Sequence, residues 1–159
     1  MSLLQFFQWM EDLAISETIR NSPTLGPGIN LAHLLALVVF VGALLIVDLR
    51  LLGSGLTRQP LARIARDAQP WLIGGFIGLA ITGTLQLIST GTKQYYSSLF
   101  WMKAEILLVA LVFTFTLRRW VTQVDEARVG PVWGKVVGLV SITLWTTVTV
   151  AARLIGLLS

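Results

Sequence analysis

Cysteine is absent from the sequence, histidine occurs once, and methionine occurs three times. Without cysteine the chain has no thiolate catalysis, iron–sulfur cluster, disulfide or thiolate zinc site. A single histidine cannot form a two-histidine metal site within one chain, and three methionines offer few soft ligands for copper. The sequence has neither a glycine-rich phosphate loop after a strand nor a nucleophile elbow. Whether the protein is an enzyme therefore stays open at this level.

Charged residues are also scarce. They make up 13% of the 159 residues, against 55% hydrophobic residues, and the mean hydropathy is +0.77. These values exclude a soluble domain and indicate an integral membrane protein in a lipid bilayer. The net charge is +4, but no basic run is interleaved with aromatic residues, so we expect no nucleic-acid partner.

Four windows are long and apolar enough to cross about 30 Å of hydrocarbon. They cover residues 29–48, 71–89, 99–117 and 136–157. None shows the two-residue alternation of a membrane β-barrel, and an open sheet would leave peptide groups unpaired in lipid. The predicted fold class is all-α: a four-transmembrane-helix bundle that uses residues 1–159 as a single integral membrane domain.

Residues 1–20 precede the first window and do not resemble a signal peptide, because the first basic residue is Arg20 and acidic residues interrupt the segment. Phe6, Phe7 and Trp9 belong to a broad apolar face, and Gln5 and Asp12 to a polar one. This pattern predicts an N-terminal amphipathic helix lying in the membrane interface. A helix packed on the end of the bundle fits the same pattern.

Basic residues are concentrated in or beside the first and third interhelix loops. They are Arg50, Arg58, Arg63 and Arg66 in the first, and Arg118, Arg119, Arg128 and Lys135 in the third. By the positive-inside rule these loops are cytoplasmic. We therefore expect a protein of the bacterial inner membrane with both termini in the periplasm. Asp48, at the inner end of the first window, is a candidate partner for Arg118 or Arg119.

Each window carries one strongly polar residue at a similar depth. His33, Gln86, Lys103 and Arg153 lie about 5–7 Å inside the outer ends of their spans, at 1.5 Å per helical residue. Ionisable groups inside a membrane are costly, so this layer predicts a shared binding site. Other interpretations remain open: Lys103 and Arg153 can snorkel to the interface, and His33 can be a neutral imidazole hydrogen-bonded between helices.

Small and polar residues recur at helical spacing in two windows. In the second window they are Gly75, Gly78, Thr82, Gln86 and Ser89, and in the fourth they are Thr143, Thr146, Thr149 and Arg153. Such stripes are typical of helix contacts, so neither is expected to face lipid. The glycine-rich second span also offers a surface for a second copy, and we expect a homo-oligomer or a subunit of a membrane complex. Glu105 is a candidate partner for another helix or a second protomer.

Short motifs in the first and third windows resemble a known group. Residues 31–35 (LAHLL), Gly42 and residues 48–52 (DLRLL) look like the first helix of HemJ-type protoporphyrinogen oxidases and the related CopD-like copper-resistance membrane proteins. Residues 101–103 (WMK) and 118–120 (RRW) resemble their lysine-bearing third helix. Nearly the whole chain, including Trp9-x-Glu11 and residues 144–153, is similar to a family of small bacterial membrane proteins of uncharacterised function.

The resemblance implies a heme b held in the bundle, with His33 as axial metal ligand and Lys103 essential nearby. Gln86 and Arg153, which belong to the same polar layer, complete the candidate cofactor-binding set. A second copy could contribute the other axial ligand through its own His33 or Met102. The HemJ-type enzymes carry further polar residues at the end of the first helix and an asparagine-glutamate motif before the last. Residues 47–52 and 129–135 show neither, so the resemblance extends to heme rather than to porphyrinogen oxidation.

Three functional hypotheses follow. The first is a heme-binding protein used in electron transfer or redox chemistry. The second is a non-catalytic accessory or assembly subunit whose polar layer holds helices or a partner together. The third is a CopD-like permease for a small molecule or copper.

Overall fold

A computed structural model describes the backbone of residues 1–124 and 126–158, and their side chains except at positions 126, 127, 129, 155 and 156. All regular structure in this part of the chain is helical, as predicted. The helices are α1 (Leu3–Glu11), α2 (Ala14–Asn21), α3 (Leu25–Leu52), α4 (Leu61–Tyr95), α5 (Ser98–Phe113), α6 (Arg119–Gln123) and α7 (Glu126–Leu158). A π-helical turn, Thr114–Arg118, joins α5 to α6.

Four helical stretches are long and apolar enough to cross a membrane: Leu25–Leu52, Leu61–Tyr95, Ser98–Gln123 and Gly130–Leu154. The predicted four-helix membrane bundle is therefore confirmed. The helices differ from the apolar windows mainly in length: α3 begins four residues before its window, and the third stretch ends six residues after its window. The second span gains most, beginning at Leu61 behind Pro60, which has no N–H and suits a helix start.

The N-terminal segment forms two helices rather than the one predicted over residues 1–20. Leu13 takes an extended conformation, with φ −65° and ψ 143°, and separates α1 from α2. Both pack on α4: the Ser16 hydroxyl donates to the Ile88 carbonyl at 3.0 Å. The Phe7 ring lies 5.5 Å from Tyr95 and 6.2 Å from Trp101. The segment thus caps the end of the bundle.

The α3 and α4 backbones approach closely through the glycines of the second span. A Cβ atom at Gly75 would lie 2.8 Å from the Phe40 backbone nitrogen, and one at Gly78 would lie 3.0 Å from the Ala36 Cβ. Only glycine permits this spacing, since no real side chain tolerates such contacts at the first position. The prediction that this stripe is a helix contact is confirmed, and α3 occupies it.

The apolar core has two parts along the bundle. The larger is built around Phe40, which is fully buried and lies 4.7 Å from Trp145 in an edge-to-face contact. The second includes Val47, Leu61 and Val137. Both clusters include residues of α3 and α7; the first lies midway along α3, and the second lies beside Asp48 near the end of α3.

Candidate functional site

The bundle has two chemically different ends. We call the end that α1 and α2 cap the His33 end, and the opposite end, where α3 meets α4 and α6 meets α7, the Asp48 end. His33 lies on the first third of α3, and Asp48 lies near its last turn. The two residues thus identify opposite ends of one helix.

At the His33 end the imidazole bridges α3 and α4. Its Nδ1 lies 2.7 Å from the Thr82 hydroxyl, and the ring is half-buried. Thr82 sits there because the small residues of α4 bring the two helices together. A Cβ atom at Gly83 would lie 3.5 Å from the His33 Cε1, so no side chain occupies that edge of the ring.

The Thr82 contacts determine the tautomer of His33. The Thr82 hydroxyl lies 2.6 Å from the Gly78 carbonyl oxygen, which can only accept a hydrogen bond. The single hydroxyl proton therefore goes to Gly78, as is common for threonine in membrane helices. For the 2.7 Å contact to be a hydrogen bond as well, His33 must donate from Nδ1. A neutral ring of this tautomer has its lone pair on Nε2.

Lys103 on α5 is half-buried and close enough to His33 for its charge to act on the imidazole. The two residues that the resemblance pairs thus lie within electrostatic range of each other. His33 and Lys103 lie on α3 and α5, which are not consecutive in the chain. The two helices are also not main packing partners, since α3 packs mainly on α4 and α7.

Gln86 and Arg153 are arranged differently from the predicted common layer. The Gln86 side-chain amide donates to the Asn30 side chain at 3.4 Å, one helical turn from the His33–Thr82 contact. Arg153 is exposed on the surface of α7. Of the four predicted residues, His33 and Lys103 therefore lie within electrostatic range of each other, Gln86 lies one turn away from His33, and Arg153 is exposed.

The polar stripe predicted for the fourth span does not lie at a contact within this chain. Thr149 is half-buried, but Thr143 and Thr146 are exposed together with Arg153. That expectation is wrong for a single copy, because α3 and α5 pack against the other side of α7, through residues such as Ser141, Trp145 and Val148.

Polar contacts of Glu11 attach the N-terminal helices α1 and α2 to α4 at the His33 end. The Glu11 carboxylate accepts a 3.0 Å hydrogen bond from the Thr92 backbone N–H and another from its hydroxyl. Arg20 donates to the same carboxylate at 3.1 Å. These contacts, led by the Thr92 hydroxyl, lower the pKa of Glu11. They occur where α4 breaks at Thr90, whose φ and ψ of −137° and 26° are not helical.

At the Asp48 end the polar groups are enclosed and paired. Arg118 donates from Nε to Asp48 Oδ1 at 2.9 Å and from Nη2 to the Leu44 carbonyl at 3.1 Å. Ser141 donates to Asp48 Oδ2 at 2.6 Å. The predicted Asp48–Arg118 pairing is confirmed, but Arg118 is a buried residue rather than part of a solvated basic loop.

The π-helical turn contains Thr114 and Arg118, which are both buried. They lie four residues apart, as Ala110 and Thr114 do, so all three share the buried face of the third span. Thr114 accepts a 2.9 Å hydrogen bond from the Trp145 indole nitrogen. A cavity of about 20 Å³, lined in part by Thr114, Arg118 and Thr122, lies beside this network, with room for about one water molecule.

Sequence analysis missed several of these residues. Asn30 lies at the polar edge of the first window, and Ser141 is one of many hydroxyl residues in the fourth. Periodicity would have pointed to Ser141, since it shares a face with Trp145 four residues later. No local signal predicts Thr92 as the partner of Glu11, because 81 residues separate them.

The donor chemistry of the His33 end fits a heme axial ligand. An imidazole that donates through one nitrogen has its other nitrogen directed and free to ligate, which is the usual arrangement of metal-bound histidine. Lys103 supplies a nearby cation that can pair with a propionate. Within the described residues no group of three or more histidine, aspartate or glutamate side chains is arranged to hold a metal ion.

One comparison with known proteins gives a match. A model for a family of unknown function, DUF6644, matches residues 6–158. No curated protein and no solved structure matches the chain.

Proposed function

We propose that this chain, which belongs to the DUF6644 family of unknown function, is a membrane-embedded heme b protein with His33 as an axial ligand. The single observation that carries the proposal is the 2.7 Å contact between His33 Nδ1 and the Thr82 hydroxyl, whose proton goes to the Gly78 carbonyl, so that the Nε2 lone pair is free to ligate.

In this proposal the surrounding residues position and balance the ligand. Thr82 fixes the ring orientation and raises the basicity of Nε2 through the Nδ1 hydrogen bond. Lys103 pairs with a propionate. Bound heme b would supply one-electron transfer between partners in or beside the membrane.

The resemblance of the His33 and Lys103 helices to HemJ-type and CopD-like proteins supports the same assignment. The missing polar motifs at residues 47–52 and 129–135 separate this chain from porphyrinogen oxidation. We therefore propose an electron-transfer or redox component. The distribution of basic residues supports a bacterial inner-membrane location with both termini, and hence the His33 end, facing the periplasm.

The visible spectrum of the detergent-purified protein, oxidised and dithionite-reduced, tests the proposal. The wild type from heme-replete cells should show a Soret band and reduced α and β bands, and His33→Ala should lose them. Thr82→Val should weaken heme binding by about 10- to 100-fold, as loss of a ligand's hydrogen-bond partner does. Thr84→Val is the matched control, because Thr84 bonds only its own helix, at the Ala80 carbonyl.

A colourless wild type, or an unchanged spectrum in His33→Ala, would rule out this function. The accessory-subunit hypothesis would then be favoured by a specific observation: both polar contacts at this end, His33–Thr82 and Asn30–Gln86, bridge α3 and α4. That role predicts a colourless protein in which His33→Ala and Thr82→Val lower stability to a similar degree, since each removes the same hydrogen bond.

A further inference from the structure

Glu105 is an exposed acidic residue within the third membrane span. It lies seven residues past Ser98, about 10 Å along the helix axis. Among the side chains that the structure describes, no hydrogen bond or ion pair reaches its carboxylate. Its exposed neighbours on α5 are the apolar residues Met102, Leu108 and Val109. A carboxylate on such a face is expensive in lipid.

A second exposed polar face lies on α7. It contains Thr143, Thr146, Thr147 and Arg153. The hydroxyls of Thr143 and Thr147 bond back to carbonyls of their own helix, so they tolerate an apolar neighbour, but the Arg153 guanidinium requires an acceptor. Arg153 lies five residues before Leu158, about 7 Å from the helix end.

Glu105 and Arg153 therefore have opposite charge and similar depth, measured from the same end of the bundle. Neither is neutralised within the described part of the chain. On α4, Gly75 and Gly78 pack against Phe40 and Ala36 of α3, whereas Gly74 is exposed. The exposed charges on α5 and α7 mark a different surface.

We propose that this chain assembles with a second copy of itself through these faces, with Glu105 of one copy paired with Arg153 of the other. A symmetry axis along the membrane normal keeps every residue at its depth, so the two charges meet at one level. Each contact satisfies a carboxylate and a guanidinium that otherwise face lipid. The threonines beside Arg153 allow the helices to approach closely.

Charge reversal in two differently tagged chains tests this pairing. Glu105→Arg alone sets two arginines against each other, and Arg153→Glu alone sets two glutamates against each other. Each variant should therefore lose self-association by roughly tenfold or more in crosslinking of native membranes. When the two are co-expressed, every contact between them joins opposite charges, so the tagged chains should co-purify at the wild-type level.

Matched reversals at exposed sites outside the spans, Glu17→Arg and Arg58→Glu, should leave self-association unchanged. Milder changes, Glu105→Gln and Arg153→Gln, keep the test valid if a reversal prevents folding, and the helical circular dichroism of every variant checks this. The proposal is overturned if the wild type is only monomeric in crosslinked membranes. It is also overturned if the co-expressed reversals stay apart while the double reversal in one chain behaves as wild type, since the charges would then pair within one copy. Capture of a different membrane protein without self-association overturns it as well.

Discussion

At the Asp48 end the carboxylate is 1% exposed and accepts hydrogen bonds from Arg118 and Ser141, whereas at the His33 end the imidazole is half-buried with one nitrogen committed. The first network is complete, since each buried polar atom among the described side chains has a partner. At the His33 end, Nε2 of His33 has a free lone pair, and the Lys103 ammonium has no acidic partner among the described side chains. A polar network in which every group has a hydrogen-bond partner helps to specify the packing, whereas a network with an unpaired group can bind a ligand.

Unpairing the Asp48 end should have the largest effect. Asp48→Asn leaves Arg118 buried without its counter-charge, so we expect a loss of about 3–5 kcal/mol in the free energy of unfolding. In the heme-free protein, His33→Gln at the other end removes one neutral hydrogen bond and should cost no more than about 1.5 kcal/mol. Denaturant titration of the detergent-solubilised protein measures both.

Two further measurements test the difference in stability loss between the two ends of the bundle. The double variant Asp48→Leu with Arg118→Met removes both charges and should recover most of the lost stability, because replacing a whole buried pair is often near neutral. Equal losses in Asp48→Asn and His33→Gln would show that the two ends contribute alike.

The packing of the two ends should differ in the same direction. A Cβ atom at Gly138, at the Asp48 end, would lie 3.0 Å from the Asp48 carbonyl oxygen and 3.1 Å from the Leu51 Cβ. We expect Gly138→Ala to destabilise by about 1–3 kcal/mol through overpacking.

Gly83→Ala is the matched change at the His33 end, where the nearest atom is His33 Cε1 at 3.5 Å. It should be neutral or stabilise by up to about 1 kcal/mol, since alanine favours the helix. Thermal unfolding of both variants measures the difference. A Gly83→Ala variant as unstable as Gly138→Ala would mean that the His33 end is equally tight.

We expect the smallest effect on stability for the N-terminal cap formed by α1 and α2, which the ionised Glu11 carboxylate attaches to α4. The pKa of Glu11 is lowered below the value of 4.5 that it has when unpaired, with the Thr92 hydroxyl as the leading cause. Its contribution is therefore complete above about pH 4.5 and is lost as the pH falls through the lower folded-state pKa.

Hydrogen exchange of residues 3–21, corrected for its intrinsic pH dependence, measures this loosening. Glu11→Gln should raise exchange of the cap at neutral pH, corresponding to about 1 kcal/mol, and should remove the acid-dependent step. Glu17→Gln, on the exposed face of α2, is the control. An acid-dependent step that persists in Glu11→Gln would assign it to another group.

Much of the fold follows from local composition. Residues 29–48 are apolar over enough length to span a membrane, and no neighbour can change that requirement, because lipid offers no partner for a peptide group. Gly75 and Gly78 likewise predicted a helix contact, because only close approach of a backbone explains such small residues at this spacing.

The candidate site could be predicted only in part. His33 and Lys103 stand out because an ionisable group in an apolar run is rare wherever it occurs. The distance between the His33 and Lys103 side chains, and the contact of Gln86 with Asn30, depend on how each helix is rotated and on the angles at which the helices cross. Arg118 was predicted to fill or flank the basic third loop, but it lies four residues after Thr114 on the buried face of the third span.

The sequence alone determined that the chain crosses a membrane with four helices, that α4 packs closely through its glycines, and that Asp48 seeks a basic partner. Only the tertiary structure decided that His33 donates through Nδ1 to Thr82, that Arg118 is the buried partner, and that Glu105 and Arg153 face outward. The two kinds of property differ in the distance along the chain over which they are determined. Hydrophobicity is a property of each residue against lipid and can be read locally, whereas a hydrogen bond requires two groups, tens of residues apart, to meet within about 3 Å in one orientation.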